Sequence, residues 1–324
     1  MPPDGAPGGG LLLVHAHPDD ECFATGGLIA RSVAEGRRVD LVVCTGGEEG
    51  EIHDPDLDAS EARPRMREIR SGELECAVAS LRGSGPGELH LHRLGYRDSG
   101  MIDTPPNSHP EAFWGADLEE ATGRLVPIIR AARPAVMVTY DANGNYGHPD
   151  HIQAHRVAVA AFQAAADHSR FPAAGKPHGV AKFHEIAFNR DRWFALMGEM
   201  KARGIKLPWD FDADVLAGMP QDLNPSNVEA ARQVAEQLEA GEEPASFGTP
   251  EALVTTFVEV GSYADAKRAA MDCHRTQRQD FGWMLDLPDD LAAQVLSHEY
   301  FVLTRWPDRG VPDGYRETSL FEGL

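Results

Sequence analysis

The chain has 324 residues, of which 42% are hydrophobic and 25% charged, values typical of a globular protein with a large core. Its formal net charge of -21 gives a surface that repels nucleic-acid phosphates and anionic lipid headgroups. We therefore expect neither a nucleic acid nor a membrane as a partner.

The N-terminus and the cysteines indicate a cytoplasmic protein. Residues 1–10 are rich in Pro and Gly without a basic residue, so we expect a flexible tail and not a signal peptide. No run approaches the roughly 20 apolar residues of a membrane span. The four cysteines form no C-x-x-C pair, which predicts reduced thiols. Cys44 and Cys76 are expected in the core, and Cys22, beside an acidic cluster, is a candidate reactive thiol.

The first half of the chain alternates short apolar runs with amphipathic segments. This pattern predicts strands at Leu11–Val14, Val39–Cys44, Glu88–Leu94 and Ala135–Tyr140, and helices at Gly27–Glu35, Arg63–Leu81, Leu118–Ala132 and His151–Ala165. Strands that alternate with helices of this length favour a Rossmann-like α/β fold, with a mostly parallel sheet and helices on both faces.

The second half is less regular. It predicts strands at Val180–Phe188, Leu253–Glu259 and near Tyr300–Thr304, and helices at Asp191–Arg203, Ser226–Glu239 and Tyr263–Gln277. We expect a catalytic core at residues 11–170, followed by a smaller C-terminal region at 171–324 that completes the fold and shapes access for the substrate. Residues 204–250, rich in Pro, Gly, Asp and Glu, have no assigned role.

Two His-Pro-Asp segments follow predicted strands. His17-Pro18-Asp19-Asp20 comes after the first strand, and His148-Pro149-Asp150-His151 comes after the strand at 135–140. The carboxyl ends of parallel strands lie at one edge of a sheet, where ligands bind. In each segment the first and last side chains are three residues apart, which puts them on one face of a helical turn. The two segments together predict a metal site.

The chemistry of such a site needs both ligands and proton carriers. A catalytic zinc takes three protein ligands and leaves one position open, and metal-assisted hydrolysis also needs a base. Two histidines and one carboxylate would satisfy the metal. Spacing alone does not divide the roles among the candidates.

The chain resembles the LmbE-like, or PIG-L, family of zinc de-N-acetylases, and within it the enzymes of mycothiol metabolism. The resemblance covers nearly the whole chain outside 204–250. It is carried by His15-Ala16-His17-Pro18-Asp19-Asp20-Glu21, Thr45-Gly46-Gly47-Glu48-Glu49-Gly50-Glu51, Arg97-Asp98-Ser99-Gly100-Met101, Tyr146-Gly147-His148-Pro149-Asp150-His151, His274-Arg275-Thr276-Gln277, Glu299-Tyr300-Phe301-Val302-Leu303 and Glu317-Thr318-Ser319-Leu320-Phe321.

The resemblance implies a metal and a base. His17, Asp20 and His151 would bind Zn²⁺, with Fe²⁺ as the alternative metal in cells. Asp19 would be the general base that takes a proton from the attacking water.

The resemblance also implies the groups that meet the substrate. His148 would act as an electrostatic stabiliser or general acid, and Tyr146 would polarise the amide carbonyl. Arg65 and Asp98 would bind sugar hydroxyls. The implied reaction is hydrolysis of the amide of an N-acyl amino sugar, with de-N-acetylation of a glucosaminyl-inositol-like compound favoured.

Several residues near these motifs have simpler interpretations. His15 is expected to pack or to orient its loop, and His155 to support a ligand or lie at the surface. Asp150 is expected to cap a helix or to hydrogen-bond a ligand. Three acids form either an exposed loop or part of the pocket wall: Glu48, Glu49 and Glu51.

Departures from the family pattern leave the substrate open. Asn145 stands where a glycine is expected, and the residues between Cys22 and Gly27 match neither mycothiol enzyme. Tyr146-Gly147-His148 and Met101 favour the deacetylase, whereas Arg170–Gly175 favours a mycothiol S-conjugate amidase. A natural-product amidase is a further alternative.

Two rivals belong to other classes. Two histidines and a carboxylate also form the metal-binding triad of Fe(II) oxygenases. A sugar-binding module without catalytic activity could keep the same site. The acyl group, the aglycone and the oligomeric state are not determined by the sequence.

Overall fold

The computed structural model describes residues 9–205 and 248–324. Its strands are β1 Gly10–His15, β2 Arg38–Thr45, β3 Glu88–Tyr96, β4 Pro134–Thr139, β5 Lys182–Ala187, β6 Thr256–Glu259 and β7 His298–Arg305. Its helices, numbered along the described residues, are α1 Asp20–Ala24, α2 Gly26–Ala34, α3 Ala59–Ala62, α4 Met66–Arg82, α5 Leu118–Ala132, α6 Gly144–Gly147, α7 Pro149–Ala166, α8 Arg190–Ala202, α9 Ala264–Cys273, α10 Arg278–Leu285 and α11 Asp289–Leu296.

All seven of these strands form one sheet in the order β3-β2-β1-β4-β5-β7-β6. The first five are parallel, and β7 runs antiparallel to both β5 and β6. The predicted α/β fold with a mostly parallel sheet is thus confirmed. The antiparallel pair at one edge comes from the half of the chain in which the sequence pattern was least regular.

The central strands read as unbroken apolar runs because both of their faces are covered. The four residues Leu11–Val14 of β1 are fully buried, as are Leu41–Cys44 of β2. A strand with helices on one face only would show alternation instead. The run 11–14 therefore predicted a central strand, and β1 is hydrogen-bonded to β2 on one side and to β4 on the other.

The direction of the chain reverses at β1. From β1 it moves outward through β2 to β3, and then returns to β4 on the other side of β1. With right-handed crossovers, this reversal puts α2 and α4 on one face of the sheet and α5 and α7 on the other. The loops after β1 and β4 diverge at this point and leave a crevice at the carboxyl ends of the strands. Both His-Pro-Asp segments belong to these two loops.

The described chain divides into two compact units. One comprises the residues up to Ala187 together with Val254–Leu324, and the other is Phe188–Leu253. The predicted boundary at residue 170 does not coincide with this division, because β5, β6 and β7 share the sheet with β1–β4. Residues 1–8 of the predicted tail and the predicted helix Ser226–Glu239 lie outside the described residues.

The helix predictions differ from the structure mainly at short elements. The helix Leu118–Ala132 has the predicted bounds, with Asp117 as its N-cap. The predicted helix Arg63–Leu81 begins with a 3₁₀ turn, since Pro64 lies in it, and becomes α-helical at Met66. Among the described helices, five were not predicted: α1, α3, α6, α10 and α11. Each spans eight residues or fewer, too short to show a clear helical period.

The expectation of four reduced cysteines is wrong for two of them. Cys76 and Cys273 form a disulfide across 197 residues, because α4 packs against α9 and brings their Cα atoms to 5.7 Å. Cys76 is exposed on α4 and does not lie in the core. Cys44 is fully buried, as predicted. The Cys22 thiol is also fully buried, and burial raises its pKa well above the usual value, so it is not a reactive thiol.

Among the helices that the structure describes, none is long and apolar enough to cross a membrane.

Candidate metal and catalytic site

Three predicted ligands converge at the reversal point of the sheet. His17 follows β1, Asp20 begins α1, and His151 lies in the first turn of α7. The Nε2 atom of His151 is 3.3 Å from Nδ1 of His17 and 3.4 Å from Oδ1 of Asp20. The Oδ2 atom of Asp20 is 3.5 Å from Nδ1 of His17. These atoms come from segments about 130 residues apart, and only the fold brings them together.

The spacing of the two histidine nitrogens and the Asp20 carboxylate is close to the spacing of ligands around a small metal ion. Zinc–nitrogen and zinc–oxygen distances of about 2.0–2.2 Å give ligand–ligand edges of about 3.3–3.6 Å in a tetrahedron. The two histidine nitrogens are 3.3 Å apart, and each faces a different oxygen of Asp20: Oδ1 is 3.4 Å from His151 and Oδ2 is 3.5 Å from His17. Imidazole nitrogen and carboxylate oxygen are also donors that zinc and Fe²⁺ accept. The donor set therefore fits a divalent ion without selecting which one.

Asp20 is held in place by the backbone and by Tyr140. Its Oδ2 accepts hydrogen bonds from the backbone N–H of His17 at 2.7 Å and from the hydroxyl of Tyr140 at 2.7 Å. That hydroxyl accepts in turn from the backbone N–H of Ala16, and the ring of Tyr140 stacks on His151 at 4.1 Å. Tyr140 thus orients two candidate ligands, and the sequence did not single it out.

Two carboxylates lie beside Nε2 of His17, the ring nitrogen that points away from the candidate metal position. Nε2 of His17 is 3.2 Å from Oδ2 of Asp150 and 3.5 Å from Oδ1 of Asp98. Asp150 is fully buried and also accepts from the backbone N–H and the hydroxyl of Ser99. A carboxylate on the far nitrogen fixes the ring and its tautomer, which leaves Nδ1 to face the metal position. The interpretation of Asp150 as support for a ligand agrees with this geometry.

Asp19 lies beside the three candidate ligands and contacts a buried arginine. Nη2 of Arg70 donates to Oδ2 of Asp19 at 2.8 Å and also contacts the backbone oxygen of Pro18. Nη1 donates to the backbone oxygen of Gly47, where any Cβ would collide with the guanidinium. Burial raises the pKa of Asp19 to about 7, although the charge of Arg70 acts to lower it. A carboxylate with a pKa near neutrality is suited to accepting a proton at physiological pH.

His148 lies in the site and carries a neutral imidazole. It is the N-cap of α7, and its Nδ1 accepts the backbone N–H of Asp150 at 3.1 Å. Its ring centroid is 4.6 Å from that of His17. Burial, with the neighbouring His17 and His151, lowers the pKa of His148 to about 2. Because Nδ1 accepts, Nε2 carries the proton and is the nitrogen able to donate.

Tyr146 covers this cluster at the surface. Its ring is 4.9 Å from His151 and 6.2 Å from His148, and the residue is 62% exposed. An exposed tyrosine above buried histidines is accessible to a bound molecule. The loop that carries it needs Gly144, because a Cβ there would lie 2.7 Å from the Cβ of His151. Asn145 has φ +64°, a conformation that favours Gly and that Asn tolerates best among other residues.

The two predicted sugar-binding residues have different positions. Asp98 lies in the site, where it is 3% exposed and its carboxylate accepts from the backbone N–H groups of Gly100 and Glu49. Arg65 does not: its side chain is 63% exposed and pairs with the exposed Glu68. Arg70, five residues further along, reaches the site instead. A sequence signal was present, because in α4 Arg70 shares the buried face with Met66, Glu73 and Leu74.

Other residues near the motifs have supporting contacts. His15 pairs with Thr25, and Nδ1 of His155 lies 2.9 Å from the backbone oxygen of Tyr140. Glu48 is buried and accepts from the backbone N–H of Asp98, whereas Glu51 is exposed. The acidic segment is therefore not a uniform exposed loop.

Comparison with known proteins points to amide hydrolysis. Residues 12–162 match the PIG-L family, described as GlcNAc-PI de-N-acetylase. Two relatives carry the name 1D-myo-inositol 2-acetamido-2-deoxy-alpha-D-glucopyranoside deacetylase. The one from Thermobifida fusca is 43% identical, over 96% of this chain and 98% of the relative. The relative from Catenulispora acidiphila, whose printed name ends in "deacetylase 1", is 40% identical, over 97% of this chain and 89% of the relative.

Solved structures with a similar fold are more distant in sequence. N,N'-diacetylchitobiose deacetylase from Pyrococcus horikoshii has a TM-score of 0.52 at 16% identity, over 91% of this chain and 83% of that chain. GalB, a 4-carboxy-2-hydroxymuconate hydratase from Pseudomonas putida, has a TM-score of 0.54 at 17% identity, over 92% of this chain and 96% of that chain. The same fold thus carries different reactions, and these two likenesses show the fold alone.

Proposed function

Because the chain belongs to the PIG-L family of de-N-acetylases and is an amide hydrolase, we propose that it removes the acetyl group of an N-acetylglucosaminyl-inositol. Water adds to the amide carbonyl, the C–N bond breaks, and acetate and the free amine leave. The observation that carries this proposal is about 40% identity, over nearly the full length, to relatives with this named activity.

The proposed metal is Zn²⁺, with Fe²⁺ as the alternative in cells. His17, Asp20 and His151 would hold it, and the 3.3–3.5 Å separations of their donor atoms support this set. Once bound, the ion would supply Lewis-acid polarisation of the attacking water and of the amide carbonyl. Asp98 and Asp150 would keep His17 oriented through its Nε2 atom.

The proton transfers would fall to Asp19 and His148. Asp19 would take a proton from the water as it attacks, and Arg70 would hold the carboxylate in the correct position. His148, with its proton on Nε2, would donate a hydrogen bond to the oxygen on which charge develops, and Tyr146 would do the same from the exposed side. The proton held by Asp19 would then pass to the departing amine, while His148 keeps its Nε2 proton, so both groups return to their starting states.

The sugar would be bound in part by Asp98. Its Oδ1 accepts from the backbone N–H of Gly100 and faces His17, whereas its Oδ2 accepts from the backbone N–H of Glu49 and keeps a lone pair for a sugar hydroxyl. Arg65 is not proposed for this role, because its side chain is exposed and paired with Glu68.

The deacetylase is favoured over the conjugate amidase. The segment Arg170–Gly175, which favoured the amidase, follows the C-terminus of α7, where Arg130 binds its backbone oxygens. The metal site is at the opposite end of this 18-residue helix, about 27 Å away. A resemblance in that segment thus carries little information on the substrate.

The test compares kcat/KM of the zinc-loaded protein on N-acetylglucosaminyl-inositol and on a mycothiol S-conjugate, under anaerobic conditions. We expect acetate release from the first compound at the higher kcat/KM. A conjugate preferred by more than about tenfold, or ~1.4 kcal/mol, would favour the amidase. Hydrolysis without oxygen would exclude both an Fe(II) oxygenase and a binding module.

The role of Asp19 is tested by Asp19→Asn. We expect the variant to keep its metal and to lose at least the ~10²-fold typical of general-base removal. A rate close to that of the wild type would mean that another group takes the proton.

A further inference from the structure

A buried pair of side chains lies behind Asp19 and has no part in the chemistry proposed above. Oε1 of Glu21 is 2.7 Å from Nε2 of His274, and both residues are fully buried. The second oxygen, Oε2, accepts the backbone N–H of Asp19 at 2.8 Å. A chain of two hydrogen bonds therefore links His274, 253 residues away from Glu21 in sequence, to the backbone of Asp19.

The backbone of Asp19 needs such support. Its φ of +116° and ψ of -32° form a conformation that a residue with a Cβ rarely adopts and that must be maintained by its surroundings. Its N–H is held by Glu21, and its carbonyl oxygen accepts from the backbone N–H and the thiol of Cys22. The carboxylate is held separately by Arg70. Arg70 thus orients the side chain, whereas Glu21 maintains the peptide that projects it.

His274 is itself firmly placed. It follows the last residue of α9, and two of the next residues are bound to other elements. Thr276 donates from its N–H and its hydroxyl to the two oxygens of Glu73 in α4. Gln277 donates to the backbone oxygen of Glu51. These bonds fix the position from which His274 reaches Glu21.

We propose that His274 is a positioning residue for the reaction, acting through Glu21 to hold the backbone of Asp19 in the conformation that presents its carboxylate. The inference rests on the proposed function of Asp19 as the base. The C-terminal part of the chain thereby contributes directly to the geometry of a catalytic group in the N-terminal part, although His274 touches none of the reacting atoms.

The matched control is a second buried pair of the same kind. Nε2 of His184 is 2.7 Å from Oε1 of Glu317, and these residues are 0% and 3% exposed. Neither has a role in the proposed chemistry. His184→Ala therefore removes a buried His–Glu contact, with its cost in stability, without changing the surroundings of Asp19.

The experiment measures kcat, KM, metal content and Tm for His274→Ala, His274→Gln, Glu21→Ala and His184→Ala. Small misplacements of a catalytic group cost up to about 10²-fold in rate. We expect His274→Ala and Glu21→Ala to lose roughly ten- to 100-fold in kcat, with the metal retained and KM little changed. His274→Gln keeps an N–H donor and should recover part of the rate. His184→Ala should lower Tm while kcat is kept.

A double-mutant cycle tests whether the effect passes through Asp19. Once Asp19→Asn has removed the base, His274→Ala should cost no further rate. The proposal is overturned if His274→Ala loses no more kcat than His184→Ala, if the two losses are fully additive, or if the metal is lost from both His274 variants. An Asp19→Asn variant with wild-type rate would instead overturn the role of the base.

Discussion

At the residue scale, Asp20 is the group on which the candidate metal site depends. Its two oxygens face two different histidines, and one of them also accepts from Tyr140 and from the backbone of His17. A carboxylate with this many donors stays ionised, and the pKa of Asp20 is held well below its usual value despite burial. This geometry supports Asp20 as the anionic ligand of the proposed metal site.

The first prediction concerns His151 as a metal ligand. His151→Ala removes one of the three donor atoms and should abolish tight zinc binding. The control is His155→Ala, one turn further along α7, where the imidazole contacts a backbone oxygen and a neighbouring carboxylate. Zinc content after gel filtration should fall in the first variant and remain stoichiometric in the second, with both chains folded by circular dichroism. Stoichiometric zinc in His151→Ala would remove His151 from the ligand set.

The second prediction separates Arg70 from Arg65. Arg70→Met removes the donor that holds Asp19, and the loss of a hydrogen bond to a charged group costs roughly 1.5–3 kcal/mol, or about ten- to 150-fold in rate. Arg65→Met changes an exposed side chain paired with Glu68 and should leave kcat/KM nearly unchanged. The measurement is kcat/KM at constant zinc loading. A larger loss for Arg65→Met would restore the interpretation made from the sequence.

At the element scale, the packing of α4 against α9 positions residues that contact the Asp19 region. The α4 helix carries Arg70 and Glu73, and α9 ends directly before His274. The disulfide between Cys76 and Cys273 joins these two helices one residue before His274. A covalent link at this position restricts the relative movement of two elements that both contact the Asp19 region.

The third prediction concerns this disulfide. Without reductant, the denatured chain should show two titratable thiols, from Cys22 and Cys44, and with reductant it should show four. Removing the link by Cys76→Ser should lower the free energy of unfolding by about 2–5 kcal/mol, since the unfolded chain is no longer constrained. Reductant should lower the Tm of the wild type and leave that of Cys76→Ser unchanged. Four free thiols in the untreated protein would contradict the link.

At the scale of the whole molecule, the C-terminal segment closes the sheet through a buried polar cluster. The side chain of Glu317 contacts His184 and Lys182 of β5, Thr256 of β6 and the hydroxyl of Tyr315. Lys182 is fully buried, and its ammonium group donates to Glu317 and to the backbone oxygen of Glu322. The cluster connects residues far apart in sequence and stabilises the antiparallel edge.

The fourth prediction is a pH dependence of stability at this cluster. Burial would raise the pKa of Glu317, but hydrogen bonds from His184 and Lys182 outweigh burial and hold it below 4.5. A carboxylate with a lowered pKa contributes stability above its unfolded pKa and loses that contribution as the pH falls. Glu317→Gln should therefore lower the free energy of unfolding by about 3–5 kcal/mol at pH 7, because Lys182 stays buried without a counter-charge. Denaturant titrations should show this difference shrinking below pH 4.5, and a constant difference would contradict it.

The sequence by itself determined the class of fold and the principal candidates of the site. Unbroken apolar runs such as Leu11–Val14 predicted buried parallel strands, since only strands covered on both faces lack alternation. Polar residues directly after such strands must then lie at one edge of the sheet. His17, Asp20 and His151 could be proposed from local pattern and from family resemblance because each belongs to a short contiguous motif.

Only the tertiary structure decided the contacts made between distant segments. Arg70 and Arg65 have the same chemistry in the sequence. Arg70 lies on the buried face of α4 and reaches the site, whereas the side chain of Arg65 is exposed. Cys76 and Cys273 are not paired by any local signal, because helix packing across 197 residues brings them together. The same holds for Tyr140 with Asp20 and for His274 with Glu21. A pattern in sequence reports which residues share a strand or a helical face, whereas the packing of those elements determines which residues share a site.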